Sequence, residues 1–122
     1  MDKLTTQEEE AMRGIWKIGP CVLRDLLAVY PDPKPPYTTL ASVVKNLERK
    51  HYVRAQRVGN VYLYHATVQP GDYKRACMSG IVSNLFGNSY KELVSFFARD
   101  EKISADDLKE IITMIEQNNP GK

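Results

Sequence analysis

Long apolar runs are missing from this 122-residue chain. None approaches the roughly 20 consecutive apolar residues that a bilayer-spanning helix needs, so no membrane insertion is expected. The opening Met1-Asp2-Lys3 leads into a polar, acidic stretch without the apolar segment of a secretory leader, which predicts a cytoplasmic chain. Cysteine is scarce. Cys21 and Cys77 stand far apart, with no CxxC companion and no neighbouring histidine, so two buried or half-buried, reduced thiols are expected rather than a disulfide or a metal site. The two histidines, His51 and His65, lack a matched cysteine, serine or carboxylate motif, and there is no glycine-rich phosphate loop. Neither catalysis nor a cofactor is expected.

A strong net charge is also absent, because +2 is too small to imply a nucleic-acid partner by itself. The distribution of charge says more. Through Gln69 there are ten basic residues against seven acidic ones, and half of the ten fall between Lys45 and Arg57, where only Glu48 opposes them. Local clustering of this kind is the footprint of a polyanion-binding surface.

The first half reads as one folding unit. Thr5 followed by Glu8 has capping-box spacing, and Met12, Ile15 and Trp16 then recur as one buried helical stripe. Gly19-Pro20 stops that helix, and a second carries Leu23, Leu26, Leu27 and Tyr30. Pro31, Pro33, Pro35 and Pro36 keep the next connection extended, since proline lacks an amide donor and disfavours helix in the residue before it. A third helix opens at Thr38 and Thr39. At about 100° per residue, Leu40, Val43, Val44 and Leu47 gather on one side. Thr38, Ser42, Lys45 and Arg49 gather opposite, with Asn46 at the edge. Small hydrogen-bonding side chains followed by long cations suit a recognition helix lying in a major groove.

A hairpin follows at once. Val53 to Val58 and Val61 to Ala66 flank Gly59-Asn60, a glycine-first pair suited to a type II′ turn. That turn sets Val58 opposite Val61, Arg57 opposite Tyr62, Ala55 opposite Tyr64 and Arg54 opposite His65. Val53, Ala55 and Tyr64 are expected to cover the core. Lys50, Arg54 and Arg57 are expected at phosphates, where electrostatics dominate affinity.

After Gln69-Pro70 the pattern is purely helical. Tyr73, Ile81, Leu85 and Phe86 keep helical spacing, then Gly87-Asn88 breaks the chain. Ser89 with Glu92 can cap a helix bearing Leu93, Phe96 and Phe97, and Ser104 with Asp107 can cap another bearing Leu108, Ile111, Ile112 and Ile115. Three short helices in roughly fifty residues bury too little surface to make a good core alone. Pairing with the same segment of a second chain would satisfy these apolar faces. A two-fold dimer would set two recognition helices on successive major grooves of double-stranded DNA and predicts a pseudo-palindromic operator. The expected fold is therefore mainly α, of the α+β kind. Residues 1–69 form a winged helix-turn-helix with a two-stranded wing, and residues 70–122 a helical dimerisation region.

Leu4-Thr5 with Glu8 to Glu10 and Met12, Ile15-Trp16, Tyr37-Thr38-Thr39, Leu47-Glu48-Arg49-Lys50 and Gly59-Asn60 through Tyr64 occur in a characteristic order. Leu85 to Ser89, Leu93 to Phe97 and Ile103 to Leu108 continue it. In these residues the chain resembles the penicillinase-repressor family of bacterial winged-helix regulators, which also includes methicillin-resistance and copper-homeostasis repressors. The resemblance implies a homodimeric repressor, in a beta-lactam or cell-envelope-stress type of system. Such a repressor leaves its operator when a membrane-bound sensor metalloprotease triggers its cleavage. The penicillinase branch is cut at an Asn-Phe bond, and Ser95-Phe96 takes that place here as the candidate protease-sensitive bond. The paired C-x-C motifs of the copper branch are missing. The family glycine after the third helix is replaced by His51, for which a left-handed helix end is less comfortable, so a different ending is expected. A second reading makes the winged helix a protein-interaction module, with Tyr62, Tyr64 and the proline-rich connection docking a partner.

Overall fold

In the computed structural model, which describes residues 1–118, the first helix begins where the capping signal puts it. Helix α1 spans Thr6–Ile18. The Thr5 hydroxyl accepts from the Glu8 amide at 3.2 Å, and the Glu8 carboxylate accepts from the Thr5 amide at 2.9 Å, closing the box. Gly19 ends α1 at a φ of +87°, a conformation that is cheap only without a Cβ. Helices α2 (Leu23–Ala28) and α3 (Tyr37–Arg49) follow, joined by the proline-rich connection. Lys34 closes the end of α2 by donating to the carbonyls of Ala28 and Tyr30. The apolar stripe of α3, Leu40, Val43, Val44 and Leu47, is fully inward and packs with Ala11, Met12, Ile15 and Leu26 in a single core.

Strands β1 (Val53–Val58) and β2 (Val61–Ala66) pair antiparallel in the expected register, from Val53 opposite Ala66 to Val58 opposite Val61. Of the two turn residues only Gly59 takes a positive φ, +61°, as a type II′ turn requires. Three helices followed by this wing make a winged helix. The hairpin has an anchor that the sequence pattern did not reveal. Cys21 exchanges both backbone hydrogen bonds with Tyr64, at 3.1 and 2.8 Å, tying the wing to the residues just before α2. A one-residue bridge has no periodicity to read.

The end of α3 corrects an expectation. His51 does adopt the left-handed conformation, at a φ of +67°. The Tyr52 amide reaches back to the Leu47 carbonyl at 2.9 Å, the long bond of a glycine-type helix stop. The strain is held by what comes next: Tyr52 is among the largest fully buried side chains, with its hydroxyl on the Asp2 carbonyl, and the Thr67 hydroxyl holds the His51 carbonyl at 2.7 Å.

Helix α4 spans Pro70–Leu85, but the chain divides into its two compact units within that helix, between Cys77 and Met78. Tyr73 explains why. Expected in the pairing surface, it packs instead on the first unit, its ring 6.0 Å from Trp16 and 5.9 Å from Tyr52, with its hydroxyl donating to Glu9. The Trp16 indole N–H donates to the Val68 carbonyl at 2.8 Å beneath it.

The second unit holds the rest of α4, then α5 (Tyr90–Arg99) and α6 (Ala105–Asn118). Gly87 and Asn88, both at positive φ, separate α4 from α5. Ser89 caps α5 through the Glu92 amide at 3.1 Å, while Ser104 and Asp107 exchange both bonds of a capping box at 3.1 and 3.0 Å. Phe96 stacks edge-on with Phe86 and Phe97, at 5.8 and 5.5 Å between ring centroids. Among its described residues only Val82 is buried. Leu93 and Leu108 are half-buried, whereas Ile81, Phe96, Phe97, Ile111 and Ile115 are exposed, with Leu85 at 74% and Ile112 at 53%. No described helix is long and apolar enough to cross a membrane.

Candidate nucleic-acid interface

Packing its apolar stripe inward obliges α3 to present the opposite face to solvent. Thr38, Ser42, Lys45 and Arg49 are exposed along that face, with Thr39 and Asn46 half-buried at its edges. Arg49 donates to the Asn46 side-chain oxygen at 2.6 Å, which steadies the guanidinium against the helix and leaves most of its donors open. Pro36 precedes α3 and no carboxylate lies in its first turn, so the positive end of the helix dipole is not neutralised locally.

The wing distributes its cations over two faces. Arg57 lies opposite Tyr62, on the face that carries Ala55 and Tyr64, and its Nε donates to the Gly59 carbonyl at 3.3 Å. Arg54 lies opposite His65 on the other face, where His65 and the Gln56 side chain are 2.7 Å apart. Among the described residues the ion pairs are Lys50 with Glu8 and Arg75 with Asp72, so no carboxylate neutralises Lys45, Arg49, Arg54 or Arg57. An exposed cation without a carboxylate is available to a phosphate at no cost in broken ion pairs.

Lys50 has a different occupation from the one expected. Its ammonium lies 2.6 Å from Glu8 and 3.0 Å from the Lys3 carbonyl, turned inward. Glu8 is only 3% exposed. Burial alone would raise its carboxyl, but the hydrogen bond from Lys50 and the Thr5 amide outweigh burial and hold it below the ordinary value. Lys50 therefore ties the start of α1 to the end of α3. The signal for it was in the sequence: Glu8 stands four and seven residues before Met12 and Ile15, in the buried stripe, where a carboxylate needs a cation.

Elsewhere, the Ser95-Phe96 bond lies inside α5, with Ser95 half-buried, so a protease would need that helix opened. Both cysteines are free thiols, but only Cys21 is buried, where burial with Asp25 nearby raises it above its ordinary value; Cys77, expected at least half-buried, is exposed on α4. No group of three or more metal-ligating side chains comes together among the described residues.

Comparison with known proteins gives a family. Residues 4–117 match the sequence profile described as penicillinase repressor. The penicillinase repressor of Staphylococcus aureus is 23% identical over 73 residues, which cover 60% of this chain and 58% of that protein's length. A solved structure of BpsR from Bordetella bronchiseptica, described as showing the mechanism for regulation of its DNA binding by 6-hydroxynicotinic acid, aligns with 95% of this chain and 75% of its own. The two are 17% identical, with a TM-score of 0.49.

Proposed function

Since the chain belongs to the penicillinase repressor family, we propose that it is a DNA-binding transcriptional repressor that holds a pseudo-palindromic operator as a homodimer. The observation that carries this reading is the solvent-facing stripe of α3, whose Lys45 and Arg49 make no ion pair among the described residues, beside a wing with two further exposed arginines so placed. Thr38, Thr39, Ser42, Lys45, Asn46 and Arg49 contact bases or the adjoining backbone, and Arg54 and Arg57 contact phosphates. Lys50 supports this surface from within. The helices after residue 70 pair two chains through the apolar side chains they leave in water, Tyr73 excepted. Family membership favours a membrane sensor protease as the upstream partner, in a beta-lactam or cell-envelope stress response.

The experiment is binding of the purified protein to its own upstream intergenic DNA, against a scrambled duplex, at two salt concentrations. Selective, salt-sensitive binding with two chains per site is the expected outcome. Arg49→Ala and Arg57→Ala should each weaken it by about 1–3 kcal/mol with the oligomeric state unchanged. Equal and weak binding to both duplexes would turn the reading toward a partner protein.

A further inference from the structure

Beside the α3 face lies an open groove of about 490 Å³, formed where the starts of α2 and α3 meet the wing tip. Val22, Leu23 and Val61 give it apolar walls, and Arg24, Tyr37 and Tyr62 stand around it. Tyr37 and Tyr62 are each 52% exposed, although both are large aromatic residues in a unit that otherwise buries its aromatic rings well. We propose that this groove seats one sugar–phosphate strand of the duplex, with the Arg24 guanidinium and the Tyr37 and Tyr62 hydroxyls on its phosphates and the apolar walls against its deoxyriboses. The inference rests on the DNA reading above and adds three residues to it.

Three observations favour this occupant. No carboxylate is among the lining residues, whose one formal charge is the Arg24 cation, although Glu48 lies near enough to act on the Tyr64 phenol, and the rim cation matches a phosphate strand. The groove is continuous with the cationic stripe: Tyr37 is the first residue of α3, immediately before Thr38, and Tyr62 faces Arg57 across the hairpin. A strand leaving the recognition helix for the wing tip therefore passes through it. Three tyrosines, Tyr37, Tyr62 and Tyr64, also line the same groove beside Arg24. Apolar walls with a hydroxyl and guanidinium rim suit deoxyribose between phosphates, since such contacts fix register on the duplex without reading sequence.

The test uses the full chain with Arg24→Ala, Tyr37→Phe and Tyr62→Phe, and Arg49→Ala as reference. The probes are the upstream duplex and a scrambled duplex, each titrated over a salt series. Arg24→Ala should weaken binding to both duplexes by the same factor, about ten-fold, and lower the salt slope by about one. The tyrosine variants keep the charge, so each should weaken both duplexes by about three-fold with the slope unchanged. These side chains are exposed, and unaltered thermal unfolding separates lost contacts from lost fold. Wild-type binding by all three variants beside an impaired Arg49→Ala overturns the groove assignment alone. An unimpaired Arg49→Ala overturns the DNA reading itself. A loss confined to the upstream duplex would make these residues base readers, which also overturns the strand assignment.

Discussion

The two units of this chain are built from similar apolar patterns and end in opposite states. In the first, α1, α2, α3 and the wing converge on one core, where Met12, Ile15, Leu26, Leu40, Val44, Leu47 and Tyr52 lose nearly all contact with water. In the second, the end of α4 and two capped helices, α5 and α6, form as cleanly, yet Leu85, Phe96, Phe97, Ile111 and Ile112 remain exposed and Val82 alone is buried among the described residues. Local signals are equally good in both, so they do not account for the difference. What differs is the number of surfaces available to bury. Four elements meeting from different directions can enclose a core, whereas short consecutive helices leave one apolar side each. Exposed patches of this kind mark interaction surfaces.

The most severe way to break this contrast is a charge on the exposed face of the second unit. Ile112→Asp and Leu85→Asp should cost a single chain little, because both positions already meet water. In a dimer they would bury a carboxylate. Sedimentation should show monomers, and operator affinity should fall by roughly 10²–10⁴-fold through lost bivalency. Dimers with wild-type affinity would show that these faces serve another purpose.

The first unit can be probed at its one buried ion pair. Lys50→Met strands the Glu8 carboxylate and should cost about 2–4 kcal/mol in denaturant unfolding. The sign with pH follows from Glu8. Its carboxyl is held below the ordinary value in the folded protein, so the stabilisation is present above the unfolded value, about 4.3, and is lost as pH falls through the lower folded one. The gap between wild type and Lys50→Met should therefore be widest near neutrality and shrink below about pH 4. A gap independent of pH would mean that the lysine acts through packing alone.

The smallest expected effect sharpens the comparison in the opposite direction. His51 occupies a left-handed position that costs a non-glycine residue about 1–2 kcal/mol, partly offset by the flexibility glycine adds to the unfolded chain. His51→Gly should stabilise the first unit by up to about 1 kcal/mol, read as a higher midpoint in urea. A lower midpoint would assign the imidazole a contact worth more than the backbone strain.

Much of the architecture was legible in the residue pattern because its causes are local. The Thr5–Glu8 and Ser104–Asp107 boxes, the stripe of α3 and the Gly59-Asn60 register each depend on a few neighbouring residues and on fixed periodicities of about 3.6 and 2. The outward face of α3 was legible for the same reason, as the complement of its apolar stripe. Less legible were contacts made across the chain: the inward turn of Lys50 to Glu8, the Cys21–Tyr64 bridge, and the transfer of Tyr73 from the helical pairing stripe to Trp16 and Tyr52. In each case two or more placements satisfied the local pattern equally well.

By itself, then, the sequence determined which segments are helix or wing, which face of each is apolar, and where the cations cluster, since steric and hydrophobic periodicity act within a few residues. Only the tertiary structure decided which cations stay exposed without an ion pair among the described residues and which one, Lys50, holds a buried carboxylate. It also decided that the starts of α2 and α3 and the wing tip leave a groove between them. Both depend on which distant side chains come within about 3–4 Å, and at that range the partner in space sets a charged side chain's role.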